Sequence, residues 1–180
     1  AIDFSSKLDG YQRNPKIKIP MPDSIQNVAD MLGRIGLQKP ADDFVLSMNR
    51  AAEAASPKAK KYLLQAIEKM TFDDAKNILH GGDTAATNYL KEKTFNSIFE
   101  GFKPIVSDTV NQVGVTSAYK NMMQQFMAIP FANAQSLDLD NYVTDKAVTG
   151  LFLMLGEEEK KIRTDPQARV TDLLKKVFQK

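Results

Sequence analysis

The sequence predicts an all-α, single-domain, irregular helical bundle with an extended N-terminal arm. Three observations carry that expectation. Apolar residues recur at three- and four-residue intervals through most of the chain, the mark of helices with one buried face. No segment sustains the alternation of a strand, and no repeat recurs at a fixed period. At 180 residues, 43% hydrophobic and 26% charged, the chain is long enough for one core of ordinary size, and residues 1–180 read as one domain.

From the N-terminus, Ile2, Phe4 and Leu8 give residues 1–9 a short helical character. Residues 14–22 contain Pro15, Pro20 and Pro22, which forbid a helix, while Ile17, Ile19 and Met21 alternate with Lys16, Lys18 and Pro20. This arm, with residues 1–22 packed on the helices, reads as a strap over the core or as an edge that pairs with a partner. Asp23 or Ser24 is expected to cap a short helix bearing Ile25, Val28, Met31, Leu32 and Ile35, which Gly36 ends.

Beyond Pro40, a helix starting near Ala41 sets Phe44, Met48, Ala51 and Ala55 on one face. Ala51, Ala52, Ala54 and Ala55 leave so little bulk that neighbours can approach on more than one side, so this is the expected central helix. Ser56 and Pro57 open the next, with Ala59, Tyr62, Leu63, Ala66, Ile67 and Met70 inward and Lys58, Lys60, Lys61 and Lys69 outward. Thr71 and Asp74 have capping-box spacing, and Ala75, Ile78 and Leu79 lead to the break at residues 80–84. There a left-handed Gly81 or Gly82 would close one helix, and Asp83 or Thr84 would cap the longest.

That long helix carries Tyr89, Leu90, Ile98, Phe99, Phe102, Ile105 and Val106 and extends to Gly114. Thr116 or Ser117 opens another, which Pro130 stops, and Asp140 is expected to cap the one bearing Val143, Ala147, Leu151, Met154 and Leu155. Pro166 then breaks the chain before a short amphipathic helix with Leu173, Leu174, Val177 and Phe178.

Composition narrows function by exclusion. With no cysteine, disulfides, thiolate catalysis and cysteine-bound metals are ruled out. The 24 basic and 22 acidic side chains are interspersed rather than striped, which argues against a nucleic-acid partner. No apolar run approaches the ~20 residues that span a bilayer. The start at Ala1-Ile2-Asp3-Phe4 reads as the middle of a structured segment, as in a processed precursor.

Three ordered motifs add a resemblance. They are Asn49-Arg50-Ala51-Ala52-Glu53-Ala54-Ala55 within residues 41–55, Gly81-Gly82-Asp83-Thr84-Ala85-Ala86-Thr87, and the tail Glu158-Glu159-Lys160-Lys161-Ile162-Arg163 with Thr171-Asp172-Leu173-Leu174-Lys175-Lys176-Val177-Phe178. Together they resemble the bacterial family called domain of unknown function 4197, across nearly the whole chain. The resemblance implies an export signal or lipoprotein leader ahead of the chain, hence a lipid anchor in the precursor and a periplasmic or periplasm-facing location. It implies no activity and no catalytic residues.

Four places carry chemistry worth weighing. Asn49, Arg50 and Glu53 share one side of the central helix by their three- and four-residue spacing. They form either an arginine fork for a ligand carboxylate or phosphate, or a structural network with Asp145, Glu158, Arg163 or Asp172. At the break, the donors of Asp83, Thr84 and Ala85 form an anion site at a helix start, which Asp83 itself is expected to fill, and His80 is a base or ligand or else an exposed helix end. Asp138, Asp140 and Asn141 lack the glycine and distal glutamate of a calcium loop, so helix capping is the better reading. Met122, Met123, Phe126 and Met127, with Ile129 and Phe131, offer an adaptable apolar surface or ordinary core packing.

The expected function is a non-catalytic module holding an apolar or acidic amphipathic ligand, or a protein partner, between helices. No catalytic residue, cofactor or metal is assigned. The alternatives are a hydrolase or lyase using Glu53 with Asp83 or His80, and a homo-oligomeric scaffold paired through residues 14–22.

Overall fold

The computed structural model of the chain describes residues 1–112, 115–128 and 138–178, which form helices and turns with no strand among them. In order these are α1 (Ile2–Ser5), α2 (Gln26–Arg34), α3 (Gln38–Ala55), α4 (Ala59–Glu68), α5 (Phe72–His80), α6 (Ala85–Gln112), α7 (Val115–Met127), α8 (Leu139–Thr164) and α9 (Asp172–Val177). Tight 3-10 turns at Asp23–Ile25, Ser56–Lys58 and Pro166–Ala168 link neighbours.

The α6–α8 pair makes the most extensive contact, and α3 lies against α2, α6, α7 and α8, so it is the central helix. Phe44, Met48, Ala51, Ala52 and Ala55 are fully buried along it. The alanines let two neighbours close in, while Phe44 reaches Tyr119 of α7 with ring centroids 5.5 Å apart. Ile98, Phe102 and Val106 of α6 and Val143, Ala147 and Leu151 of α8 complete the core. Each fully buried large side chain contributes about 1.5–3 kcal/mol.

The N-terminal arm belongs to this core. Ile17, Ile19 and Met21 are buried, as their alternation predicts. The extended course begins only after a turn in which the Asn14 carbonyl accepts from the amides of Ile17 and Lys18, at 3.2 and 2.8 Å. Gly150 of α8 gives this segment room: a Cβ there would lie 3.0 Å from Tyr11 Cε1 and 3.1 Å from Ile17 Cβ.

Several local expectations change. The central helix starts at Gln38, with Pro40 inside its first turn, where a missing N–H removes no intrahelical bond. Neither Asp23 nor Ser24 caps α2, because a 3-10 turn opens ahead of it. Met31, Ile35 and Ile67, expected inward, are exposed. Asp138, not Asp140, caps α8 by accepting the Asn141 amide at 3.1 Å. Gly81 ends α5 in an extended conformation with φ −78°, and among the described residues the positive φ values belong to Gly36, closing α2, and Asp9. The predicted capping box at Thr71 and Asp74 forms in full. Val113, Gly114, Ile129, Pro130 and the loop at 131–137 lie outside the described residues.

Candidate functional site

Asn49, Arg50 and Glu53 project from α3 onto the N-terminal segment, not onto the C-terminal helices. Asn49 accepts the Ile19 amide at 2.8 Å and donates to the carbonyls of Ile19 at 2.9 Å and Val45 at 2.8 Å. A side-chain amide thus pairs with both backbone groups of one arm residue, as a neighbouring strand would. Glu53 Oε1 accepts from the amides of Tyr11 at 3.0 Å and Gln12 at 3.2 Å, while Oε2 accepts from Arg50 at 2.7 Å. The other Arg50 nitrogen donates to Asp9 at 2.7 Å, and Arg13 lies 2.9 Å from the second Asp9 oxygen.

Electrostatics follow from this geometry. The Arg50 hydrogen bond holds the Asp9 carboxyl below its usual range. Burial opposes the charge on Arg50, yet its bonds to Glu53 and Asp9 outweigh that and raise its pKa. Burial likewise pushes up the Tyr11 phenol, whose hydroxyl donates to the Ala147 carbonyl at 2.6 Å. Asp145, Glu158, Arg163 and Asp172 are not the partners, because the arm, some forty residues upstream, reaches α3 first. Each prong of the Arg50 fork and each oxygen of Glu53 already has a partner within the chain, which ties this trio to the N-terminal segment.

The break at residues 80–84 is closed in a different way. The start of α6 does not use Asp83; instead Glu159 of α8 accepts from the amides of Ala86 at 2.8 Å and Thr87 at 2.7 Å, and from the Thr87 hydroxyl at 2.8 Å. Arg163, one turn on, donates to Glu159 at 2.8 Å and to the Ile78 carbonyl at 2.8 Å. The carboxylate sits at the positive end of α6 and the guanidinium at the negative end of α5, so one ion pair satisfies both helix dipoles. Burial disfavours the Glu159 charge, but these donors outweigh it and lower its pKa.

The residues singled out at the break stand outside this clasp. His80 is exposed with Nδ1 2.8 Å from the Lys76 carbonyl, a bond that puts the proton on Nδ1. Asp83 lies 3.6 Å from Lys160, both exposed, and the Thr84 hydroxyl accepts from Asn88 at 3.4 Å. No hydrogen bond or ion pair joins Glu53, His80 and Asp83 among the described residues, and no cluster of three or more His, Cys, Asp or Glu suits a metal. On α7, Met122 and Phe126 belong to the core, Met123 is partly buried against it, and Met127 is 60% exposed, so the apolar stripe is mostly interior.

A groove of about 390 Å³ opens between α4, α5 and α6, away from both clasps. Tyr62, Gln65, Ala66 and Lys69 line one wall, Asp74 one end, and Tyr89, Lys93, Thr94 and Ser97 the other wall. Lys93 Nζ stands 5.7 Å from the centre of the Tyr89 ring and 3.1 Å from the Glu92 carboxylate, while Lys69 forms no ion pair among the described residues. Asp74 faces the groove already engaged: its carboxylate accepts from the Thr71 amide and hydroxyl and, at 3.4 Å, from Tyr89. The Thr71 bonds hold its pKa down, and burial raises that of Tyr89. Tyr62 keeps its place because Gly101 has no side chain, since a Cβ there would lie 2.4 Å from the tyrosine hydroxyl.

Sequence reasoning did not assemble this groove. Its signal was Gly101 inside a long helix, where an isolated glycine marks a close approach.

Comparison with known proteins bears on family alone. The family model described as "Protein of unknown function (DUF4197)" matches residues 1–179, so the chain belongs to that family. No curated protein and no solved structure matches it.

Two outcomes test the clasps. Glu53→Ala should lower unfolding stability by about 3 kcal/mol in urea titrations and expose the segment between Asp9 and Lys18 to limited proteolysis; an unchanged midpoint would contradict the arm's anchorage. A carboxylate with a lowered folded-state pKa stabilises above its ordinary range and loses that contribution as pH falls through it. Glu159→Gln should therefore cost about 2 kcal/mol near pH 7 and flatten the loss of stability that the unmodified protein shows below about pH 4.5. Parallel pH profiles for the two proteins would contradict it.

Proposed function

Taking the chain as a member of that family, we propose that it is a non-catalytic binding module of the bacterial cell envelope, holding an acidic amphipathic ligand in the groove between α4, α5 and α6. The single observation that carries this reading is the groove's lining. Two ammonium groups, Lys69 and Lys93, line the same groove as Tyr62, Tyr89 and the apolar Ala66, with Lys93 beside the Tyr89 ring and also paired with Glu92. Such a wall offers charge to a carboxylate or phosphate head and apolar contact to the tail attached to it. Asp74 stays ionised at one end of the groove, so an acidic head is expected at Lys69 and Lys93 rather than beside it. The envelope location rests on the family resemblance in the sequence motifs, including the leader that resemblance implies.

The enzymatic alternative has less support. Glu53 already accepts from three donors, and among the described residues no hydrogen bond or ion pair joins it to His80 or Asp83. A scaffold paired through residues 14–22 also lacks its edge, since the Ile19 amide and carbonyl are bonded to Asn49. Among the described residues no helix is long and apolar enough to cross a membrane.

Titration with oleate, an acid with a long apolar tail, checks the reading directly. The protein should bind it, oleyl alcohol should bind more weakly, and Lys69→Glu with Lys93→Glu should cut oleate affinity about tenfold. Equal affinity for acid and alcohol, or no effect of the lysine substitutions, would reject it.

A further inference from the structure

The outer face of α4 is built the wrong way round for a helix that meets only water. It turns Ala59, Leu63 and Ala66 inward, two of them alanines, and leaves Leu64 47% and Ile67 50% exposed. Between and beside these apolar side chains stand the exposed Lys58, Lys60 and Lys61, none of which forms an ion pair among the described residues. A shallow outward depression runs along this face from Pro57 past Lys60, Lys61 and Leu64 to Glu68.

A second exposed segment lies next to this face, across the turn that opens α4. Helix α1 packs on the Ser56–Lys58 turn that leads into α4. The segment that carries it exposes Phe4 at 47%, Leu8 at 77%, and Lys7. Four lysines therefore share the two elements with four exposed apolar side chains, and the acids exposed among them are Asp3 and Glu68.

We propose that this α1–α4 face docks on an anionic phospholipid surface. The charge fits: lysines extend their stems along apolar surface and hold their ammonium groups at phosphate level, while Leu64, Ile67, Phe4 and Leu8 enter the boundary of the acyl region. Chemistry separates this occupant from a protein partner. The centres of protein interfaces are depleted in lysine and enriched in aromatic residues, whereas here lysines run through the middle of the apolar points. The contact is peripheral, made by side chains of a folded surface. Gln65 lines both this depression and the α4–α5–α6 groove, which puts the groove's mouth next to the docked face. Docking does not depend on the groove holding a ligand.

Sedimentation of the full chain with vesicles tests it, using pure phosphatidylcholine against an equimolar mixture with phosphatidylglycerol. Binding is expected to the mixture and to fall about tenfold or more for pure phosphatidylcholine, for high salt, and for Lys60→Glu with Lys61→Glu. Leu64→Ser with Ile67→Ser should also weaken it, and both pairs of changes lie on the surface and should leave the circular dichroism and melting midpoint as they were. No binding to the mixture, equal binding to both vesicles, or binding untouched by the lysine changes overturns the proposal. So does the finding that these substitutions alter only self-association or capture of a protein. Failure of the unmodified protein to bind oleate, with vesicle binding intact, overturns the groove reading alone.

Discussion

The fold depends on how one buried carboxylate is satisfied. Glu53 sits in the middle of an alanine-rich helix with little exposure, and an uncompensated charge there would cost several kcal/mol. Its two oxygens take up the amides of Tyr11 and Gln12 and the Arg50 guanidinium. The same guanidinium holds Asp9, which stands in the left-handed region at φ 67°, a conformation that aspartate tolerates better than most residues. With residues 9–12 fixed, Tyr11 is directed onto Ala147 of α8 and the arm continues until Asn49 binds Ile19. The polar side of α3 therefore converts a proline-rich segment with no helix of its own into part of the core.

A second ion pair performs the equivalent task where the chain reverses between α5 and α6. Glu159 and Arg163 lie on the last turns of α8, and each serves a different helix end. Arg169 joins them from beyond the helix, with its guanidinium near the Phe178 ring, on which Arg163 also stacks. Charges that resemble a functional site in sequence are thus consumed by the architecture. Helix α4, by contrast, contributes one wall of the groove and an outward face of lysines and aliphatic side chains.

Much of this was legible in the sequence because it is local. The capping box at Thr71, the stop at Gly36, the break at Pro166 and the inward set Phe44, Met48, Ala51 and Ala55 all follow from spacing within one or two turns. So does the burial of Ile17, Ile19 and Met21, whose alternation survives the turn at Asn14. The partners of Arg50, Glu53 and the α6 start were not legible, because they come from Asp9, Tyr11 and Glu159, about forty to seventy residues away. Local capping rules favoured Asp83, but a carboxylate from α8 took the amides of Ala86 and Thr87, with an arginine beside it. The exposure of Leu64 and Ile67 was hidden for a related reason: α4 carries apolar residues on two sides, and periodicity alone does not say which one meets the core. The groove needed three helices to be placed before its lysines and tyrosines could face one another.

The central claim is that the polar trio of α3 is a structural anchor for the N-terminal segment, and amide hydrogen exchange tests it most directly. Because Glu53 and Asn49 hold the amides of Tyr11, Gln12 and Ile19, those three should exchange as slowly as the amides in the middle of α3. Exchange at the rate of an unstructured peptide, while α3 stays protected, would contradict the account and return Arg50 and Glu53 to the set of groups free to meet a ligand.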